Sequence, residues 1–474
     1  MKRKISLLLG ACLLGVTAFG TACQKTEPAT EEQPTVFDGW NPSNILEREV
    51  EKDDVLIGSW VTFADTNKGW SAIDQIERYH YAGINFMPLA STIPSKGMIS
   101  KDEKTYLSRD LTSATWWNKV DDVMQEYNMV YYFSELGGLG SDYESYGRRT
   151  SMLSDEALSD ARDIIPELNN CIGVHVYDEP FQEMFEECAK WARRYAAITN
   201  DDGETLGLDA LVNHMGGMNY EMWMELAGAT PNVLSHDIYP FLSGDATSTV
   251  FFGDMNRMRK LANEYGVKQA CYPQSCSFSG RRMPNFEEIK WHINGNLVLG
   301  VTQFMYFNYI MYPNEGCADA IFALDGSVMY PETHESLSAF HKELRALDAN
   351  VRLNNLDATE VYTTTTLSGV DSLPGGWIID REGITSQSFL LSLFEPEKGS
   401  EDTTKYLSIF NNSFDKAIEA QEFLLGENNA ITGLEVYNYQ SGKFEPVQII
   451  NGAFTLSFEK SEVKFFRITG EVEA

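Results

Sequence analysis

Cys171-Ile-Gly-Val-His-Val-Tyr-Asp-Glu-Pro180 has strand character, ends in two acids and a proline, and runs straight into an amphipathic pattern. Pro180 has no amide hydrogen to donate, and its fixed φ suits a first helical turn, so it marks a strand-to-helix switch. Behind it Phe181, Met184, Phe185, Cys188, Ala192 and Tyr195 recur at helical spacing and define one buried face. Strict strand alternation sets Ile172, Val174, Val176 and Asp178 on one face and Gly173, His175, Tyr177 and Glu179 on the other. The aliphatic face suits packing against helices and the mixed face suits a barrel interior, which predicts Glu179 as the inward acid. Two readings of the acids fit the stretch by itself: chemistry at a strand end, or carboxylates that cap the following helix.

Outward from this stretch the same unit repeats. Val55–Val61, Ala82–Leu89, Met129–Glu135, Leu206–His214, Asn232–Pro240, Val267–Pro273 and Gly300–Asn308 read as further strands. Helical patterns fall at about Ser71–Tyr81, Ser113–Tyr127, Tyr220–Ala227, Phe252–Tyr265, Asn285–Leu299 and Glu332–Leu347. Eight strand–helix units predict a (β/α)8 TIM barrel over residues 51–350, with an open doubly wound sheet as the other arrangement of such units. After Asn350 the pattern changes to short β runs, with Ser441-Gly442 and Asn451-Gly452 where tight hairpin turns belong, so 351–474 reads as a small antiparallel β-sandwich.

At the other end Lys2, Arg3 and Lys4 precede the apolar run Ile5–Phe19 and a small-residue stretch leading to Cys23. This predicts a secretory signal peptide over residues 1–22. Gly20-Thr-Ala-Cys23 resembles a bacterial lipoprotein cleavage site, which implies lipid attachment at Cys23, a tether over 23–50 and a cell-surface, membrane-anchored protein; simple secretion is the alternative. The formal charge is −32, and loss of Lys2, Arg3 and Lys4 with no acid takes it to −35. Such a chain is repelled by phosphate backbones, so no nucleic-acid partner is expected, and a neutral or cationic ligand suits the overall charge better. No Cys/His spacing matches a zinc site. Cys271 and Cys276 are spaced to bridge or to remain buried thiols.

In a (β/α)8 barrel the chemistry sits at the C-terminal strand ends. There the sequence places Trp60, Glu135, Asp178, Glu179, Asn213, Asp237, Tyr239, Tyr272, Gln274, Tyr306 and Asn308. Acids, amides and aromatics of this kind suit sugar chemistry: rings stack on pyranose CH groups, amides bind hydroxyls, and a pair of carboxyl groups cleaves the glycosidic bond without a metal or organic cofactor. Each residue also has a plain structural reading, since buried rings pack and buried amides need partners whatever the function.

Val174-His-Val-Tyr-Asp-Glu-Pro180, His236-Asp-Ile-Tyr-Pro-Phe241 and the run from Gln274 through Phe286-Glu-Glu-Ile to Gly300–Tyr306 resemble the (β/α)8 glycoside hydrolases of the large retaining superfamily. The nearest likeness is to β-galactosidase-like and glycosidase-like lipoproteins of gut bacteria, over roughly Val55–Arg345. The resemblance implies a carbohydrate substrate and makes Glu179, a glutamate ending strand four before proline, the general acid. It also implies a glutamate nucleophile ending strand seven, where this sequence has Gln274. Asp237 on strand six is therefore taken as the second carboxylate. A barrel that binds glycans without cleaving them is the other reading the departure leaves open.

Overall fold

The structure, a computed structural model, describes residues 44–471 except 61–70, 95–97, 99–109, 135–151, 245–246, 249, 314–315, 381–383, 385–386 and 427–429. The expected signal peptide, Cys23, Glu135 and the expected tether up to residue 43 lie outside the described residues; residues 44–50, read as the end of the tether, instead hold a short helix (Asn44–Glu47) with Ile45, Leu46 and Val50 buried and Arg345 donating to Ile45 O at 3.1 Å.

Eight strand–helix units follow one another. They are β1 (Leu56–Ser59) and α1 (Ala72–Tyr81), β2 (Phe86–Met87) and α2 (Ala114–Glu126), β3 (Val130–Phe133) and α3 (Asp155–Ile164), and β4 (Cys171–Asp178) and α4 (Phe185–Ala196). The second half runs β5 (Asp209–Met215) and α5 (Tyr220–Ala227), β6 (Val233–Asp237) and α6 (Phe251–Tyr265), β7 (Lys268–Cys271) and α7 (Phe286–Leu297), and β8 (Val301–Tyr306) and α8 (Pro331–Val351). All neighbours are parallel in the order β1-β8-β7-β6-β5-β4-β3-β2. Asn85 draws the two ends of this order together. Its backbone N–H donates to Ile57 O (3.0 Å), its Nδ2 donates to Val55 O (3.0 Å) and its Oδ1 accepts from Ile57 N (2.7 Å), so the side chain does part of the work of a strand ladder. This is the (β/α)8 barrel that the strand count predicts.

Register identifies the residues that point inward. Tyr132 pairs with Gly173, Gly173 with Asp209 and His175 with Leu211; Asn213 pairs with Ser235, and Ala270 with both Ser235 and Gln303. Low in the barrel, Tyr132 donates to Asp209 Oδ2 (2.9 Å) and Gln303 Oε1 (2.9 Å), Gln303 donates to Asp209 (3.1 Å), and Lys52 pairs with Asp209 Oδ1 at 3.0 Å. The buried Asp209 carboxylate is thus matched by a cation and by donors. Gly173 is required beside this network, because a Cβ there would stand 2.6 Å from the Tyr132 ring and 2.7 Å from Asp209 O.

One strand breaks the expected alternation. β4 carries a bulge, since His175 pairs with Leu211 but Tyr177 with Val212, which leaves Val176 as an extra residue. Beyond it the faces exchange. Tyr177 turns to the helix side, where its hydroxyl lies 3.7 Å from Met184 Sδ, and Asp178 pairs with Asn213 on the inner face. The helix also starts later than Pro180 implies. Glu179 has φ 48°, Phe181 is 44% exposed, a 3-10 turn spans Gln182–Met184, and α4 begins at Phe185.

After α8 come β9 (Leu356–Thr363), β10 (Phe389–Pro396), β11 (Tyr406–Asn411), β12 (Ile418–Leu425), β13 (Ala430–Asn438), β14 (Lys443–Pro446), β15 (Ala453–Phe458) and β16 (Val463–Glu471). One sheet runs β9-β10-β11-β16-β13-β14, with Asp371–Ser372 beside β9, and a smaller sheet holds Ile379–Asp380, β12 and β15. This is the expected sandwich, with Asn451 (φ 53°) and Gly452 (φ 77°) making the tight turn into β15. Alternation along β10 splits its contacts. Phe389, Leu391 and Leu393 pack between the two sheets, while Leu390 and Phe394 join the barrel core. Polar contacts seal the seam. Asn263 donates to Ala358 O (3.0 Å), Asn294 to Ser461 O (2.8 Å) and Trp291 to Asn412 Oδ1 (2.7 Å), and Arg259 donates to the carbonyls of Ala358 and Thr359. All five described cysteines, Cys271 and Cys276 included, are buried, and no disulfide joins any of them among the described residues.

Candidate active site at the C-terminal barrel mouth

A cavity of about 810 Å3 opens at the C-terminal ends of the strands. Asp178 and Glu179 reach it from β4, Asn213 from β5, Asp237 and Tyr239 from β6, and Trp60 and Tyr272 from the ends of β1 and β7. Seven residues expected at the rim are thereby brought together. The bulge turns Asp178 inward, and Glu179, which leaves the strand end with φ 48°, lines the same cavity.

Asp178 is 4% exposed and accepts from Asn213 Nδ2 at 3.1 Å, while Asn213 Oδ1 accepts from Ser235 Oγ at 3.1 Å. A polar chain therefore crosses β4, β5 and β6 just below the cavity. Glu179 donates its backbone N–H to Asn213 O (3.0 Å) and its side chain is less buried than that of Asp178. Asp237 is 7% exposed on the inner face of β6, two residues beyond Ser235.

The tyrosines report how closely the acids gather. Burial, and then the charges of Asp237, Glu179 and Asp178, push the Tyr239 hydroxyl well above its ordinary pKa. For Tyr272 burial again comes first, followed by Asp178, Asp237 and Glu179. Both phenols therefore stay protonated as donors beside three carboxylates. Trp60 and Tyr272 form the floor, their rings edge-on at 5.5 Å, with His175 beneath Trp60 at 5.0 Å. Burial holds the His175 pKa down to about 4, so the imidazole is neutral at physiological pH. Tyr239 stands against Phe278 (4.9 Å) and Phe307 (5.5 Å) and presents the more open ring face.

Three expected residues do not line the cavity. Gln274, 0% exposed, uses its whole amide as a bracket: Oε1 accepts from Phe241 N (3.1 Å) and Nε2 donates to Phe241 O (3.2 Å) and Arg282 O (2.7 Å). It ties the loops after β6 and β7, and β7 already ends at Cys271, so the residue of that strand end which reaches the cavity is Tyr272. Tyr306 pairs with Ser59 on the outer face, and its hydroxyl lies 2.6 Å from His341 Nε2 of α8. Asn308 is buried, with its backbone N–H on Cys276 Sγ at 3.1 Å.

The sequence reading missed several lining residues. Asp254 comes from the first turn of α6, and Phe278, Ser279, Arg281 and Phe307 from the segments after β7 and β8. A signal for part of this existed in Phe278-Ser-Gly-Arg281, a hairpin-turn pattern. Ser279 (φ 41°) and Gly280 (φ 78°) form the turn, and Phe278 and Arg281 exchange both backbone hydrogen bonds.

No family model matches the chain, and no curated protein matches it. Solved structures do. It is similar to a β-galactosidase from the psychrophilic Marinomonas ef1 (TM-score 0.42, 10% identity, covering 60% of this chain and 60% of that one). It is also similar to an Anoxybacillus α-amylase (TM-score 0.47, 8% identity, 90% of this chain and 100% of that one). A β-galactosidase from Bacillus circulans sp. alkalophilus gives TM-score 0.45 and 11% identity over 90% of this chain and 100% of that one. The chain thus spans about 60% of the Marinomonas enzyme's length. With TM-scores below 0.5 these likenesses carry no argument, and the barrel assignment rests on the chain's own strand order and register.

Proposed function

We propose that the protein is a glycoside hydrolase acting on an oligo- or polysaccharide, with Glu179 as general acid and Asp237 as the second carboxylate. The observation that carries this reading is the joint lining of one cavity at the strand ends by carboxylates from β4 and β6, against the rings of Trp60, Tyr239 and Tyr272. β4 and β6 are two interstrand steps apart, roughly 10 Å between backbones. Paired carboxyl groups work at separations of about 5–5.5 Å (retention) or about 6.5–9.5 Å (inversion), and both side chains line the same cavity. Glu179, as general acid, gives a proton to the leaving oxygen, and Asp237 attacks the anomeric carbon or takes a proton from water. Asp178, held by Asn213, and the phenol of Tyr272 offer an acceptor and a donor for sugar hydroxyls.

The test is digestion of a glycan panel by wild type, Glu179→Gln and Asp237→Asn. Each substitution is expected to lower kcat by on the order of 10²–10⁴, the usual scale for a lost acid or base. Hydrolysis indifferent to Glu179→Gln refutes its role, and glycan binding by a wild type that cleaves nothing assigns the barrel to binding alone. Lipid anchoring through Cys23 to the bacterial cell surface belongs to the same proposal. Cys23→Ser is expected to release the protein from the membrane fraction, and continued membrane retention rejects the anchor.

A further inference from the structure

Two arginines stand side by side after β7, and they are used differently. Arg282 pairs with both carboxylate oxygens of Glu288 and donates from Nε to Gly244 O at 3.1 Å. Arg281 lines the cavity, yet its buried Nε has no hydrogen-bond partner, and no carboxylate pairs with it among the described residues. Its position is nevertheless well determined. The guanidinium carbon lies 5.3 Å from the Tyr239 ring centre and 5.0 Å from that of Phe278. The hairpin that carries it is pinned by Ser243, whose N–H (2.8 Å) and hydroxyl (2.7 Å) both donate to Gly280 O. Aromatic faces orient a guanidinium without satisfying its N–H groups, so its donors remain for something that enters the cavity.

We infer that Arg281 forms a subsite for an anionic substituent on the sugar, a carboxylate or a sulfate ester, a reading that rests on the cavity being a glycan site. A planar fork of donors matches either group in two-point contact. Asp178, Glu179, Asp237 and Asp254 line the same cavity and work against an anion there, so the subsite depends on direct contact with the guanidinium outweighing their repulsion; among the described residues none of the four forms an ion pair with Arg281. The overall negative charge of the chain acts at long range and is screened beyond about 8 Å at physiological salt, whereas this contact is direct. The substrate class is therefore an acidic or sulfated glycan, in contrast to the neutral or cationic ligand that net charge favours.

The test uses the full-length Glu179→Gln protein, so that binding is read without turnover, and titrates it calorimetrically with two matched pairs: an oligouronate with its carboxyl-reduced form, and a sulfated galactan oligosaccharide with its desulfated form. One charged member is expected to bind more tightly than its neutral partner, and which one does so separates carboxylate from sulfate. Adding Arg281→Gln is expected to lower the charged-to-neutral affinity ratio by roughly 10- to 100-fold, and Arg281→Lys by less, because it keeps the charge and loses the fork. Circular dichroism confirms that each variant is folded, and the lysine variant serves if the glutamine variant is not. Equal affinity within both pairs, binding to no member, or a ratio unchanged by either substitution overturns the inference. Preserved selectivity for the charged member in a wild type that cleaves nothing refutes the hydrolase reading and leaves the anionic subsite standing.

Discussion

The barrel should lose stability steeply as pH falls from 7 to 5, because its histidines are buried as neutral rings. His175 and His214 are held down to about 4 and His236, His292 and His341 to about 3, burial being the first cause in every case. All five are fully buried, and unfolded histidine titrates near 6.5. With the folded pKa depressed, the unfolded chain binds protons first, so the stability each ring contributes is complete above about 6.5 and is lost as pH drops toward 3–4. Between pH 7 and 5 the five rings together give up about 9 kcal/mol. Asp348 acts in the opposite sense. Burial raises it to about 7 even though it accepts from Val55 N (2.8 Å) and Leu353 N (2.9 Å), so its protonation over the same window returns about 2 kcal/mol. The net loss, on the order of 7 kcal/mol, is comparable to the whole stability of a typical domain. Urea titrations at half-unit pH steps, followed by tryptophan fluorescence, measure it. His236→Leu removes a ring with neither nitrogen hydrogen-bonded, and should shallow the loss by about 2 kcal/mol. A midpoint that stays flat from pH 7 to 5, or a His236→Leu profile parallel to wild type, refutes the account.

Other outcomes follow from particular contacts. Gly173→Ala drives a methyl into the Tyr132 ring and Asp209 O and should cost about 1–3 kcal/mol, read as a lower urea midpoint at unchanged slope. Asn213→Leu strips Asp178 of its donor and Ser235 of its acceptor; a loss of about 1–3 kcal/mol together with weaker glycan binding is expected, and unchanged stability contradicts the polar chain. Gln274→Glu supplies the acid that the family resemblance leads one to expect on strand seven, but replaces a donor to two carbonyls with a buried carboxylate. It should destabilise the fold by about 3 kcal/mol or more without raising kcat, whereas a faster enzyme would return that position to the catalytic pair.

The fold was legible because it is written in periods. Strand runs bounded by turn signals and helical spacing of 3.6 mark most of the units, although β4 breaks its period and α3 goes unread, and the Asn451-Gly452 turn announces its hairpin. The site was legible only as far as strand periodicity holds. Glu179 and Asp237 lie at strand ends and reach the cavity. Asp178 was assigned to the wrong face because a bulge leaves no mark in a run such as His-Val-Tyr. Tyr306 and Gln274 were placed at the rim by position, yet Tyr306 faces α8 and Gln274 lies past the strand, where contacts distant in sequence set its direction. Arg281 was hidden for the same reason: its hairpin could be recognised locally, but its seat between Tyr239 and Phe278 depends on β6 as well.

The extra residue at Val176 also makes the chemistry a matter of counting. A strand with an unbroken period of two offers a cavity only every second side chain, so the unpaired position decides that Asp178 faces this one, and Glu179 joins it from beyond the strand end at φ 48°. Deleting Val176 would leave every acid in the sequence and the composition almost untouched, yet it would turn the tip of β4 over by half a turn. The grouping of acids at this cavity is thus exposed to insertions and deletions in β4 more than to substitutions, and related chains could regroup them without changing a single carboxylate.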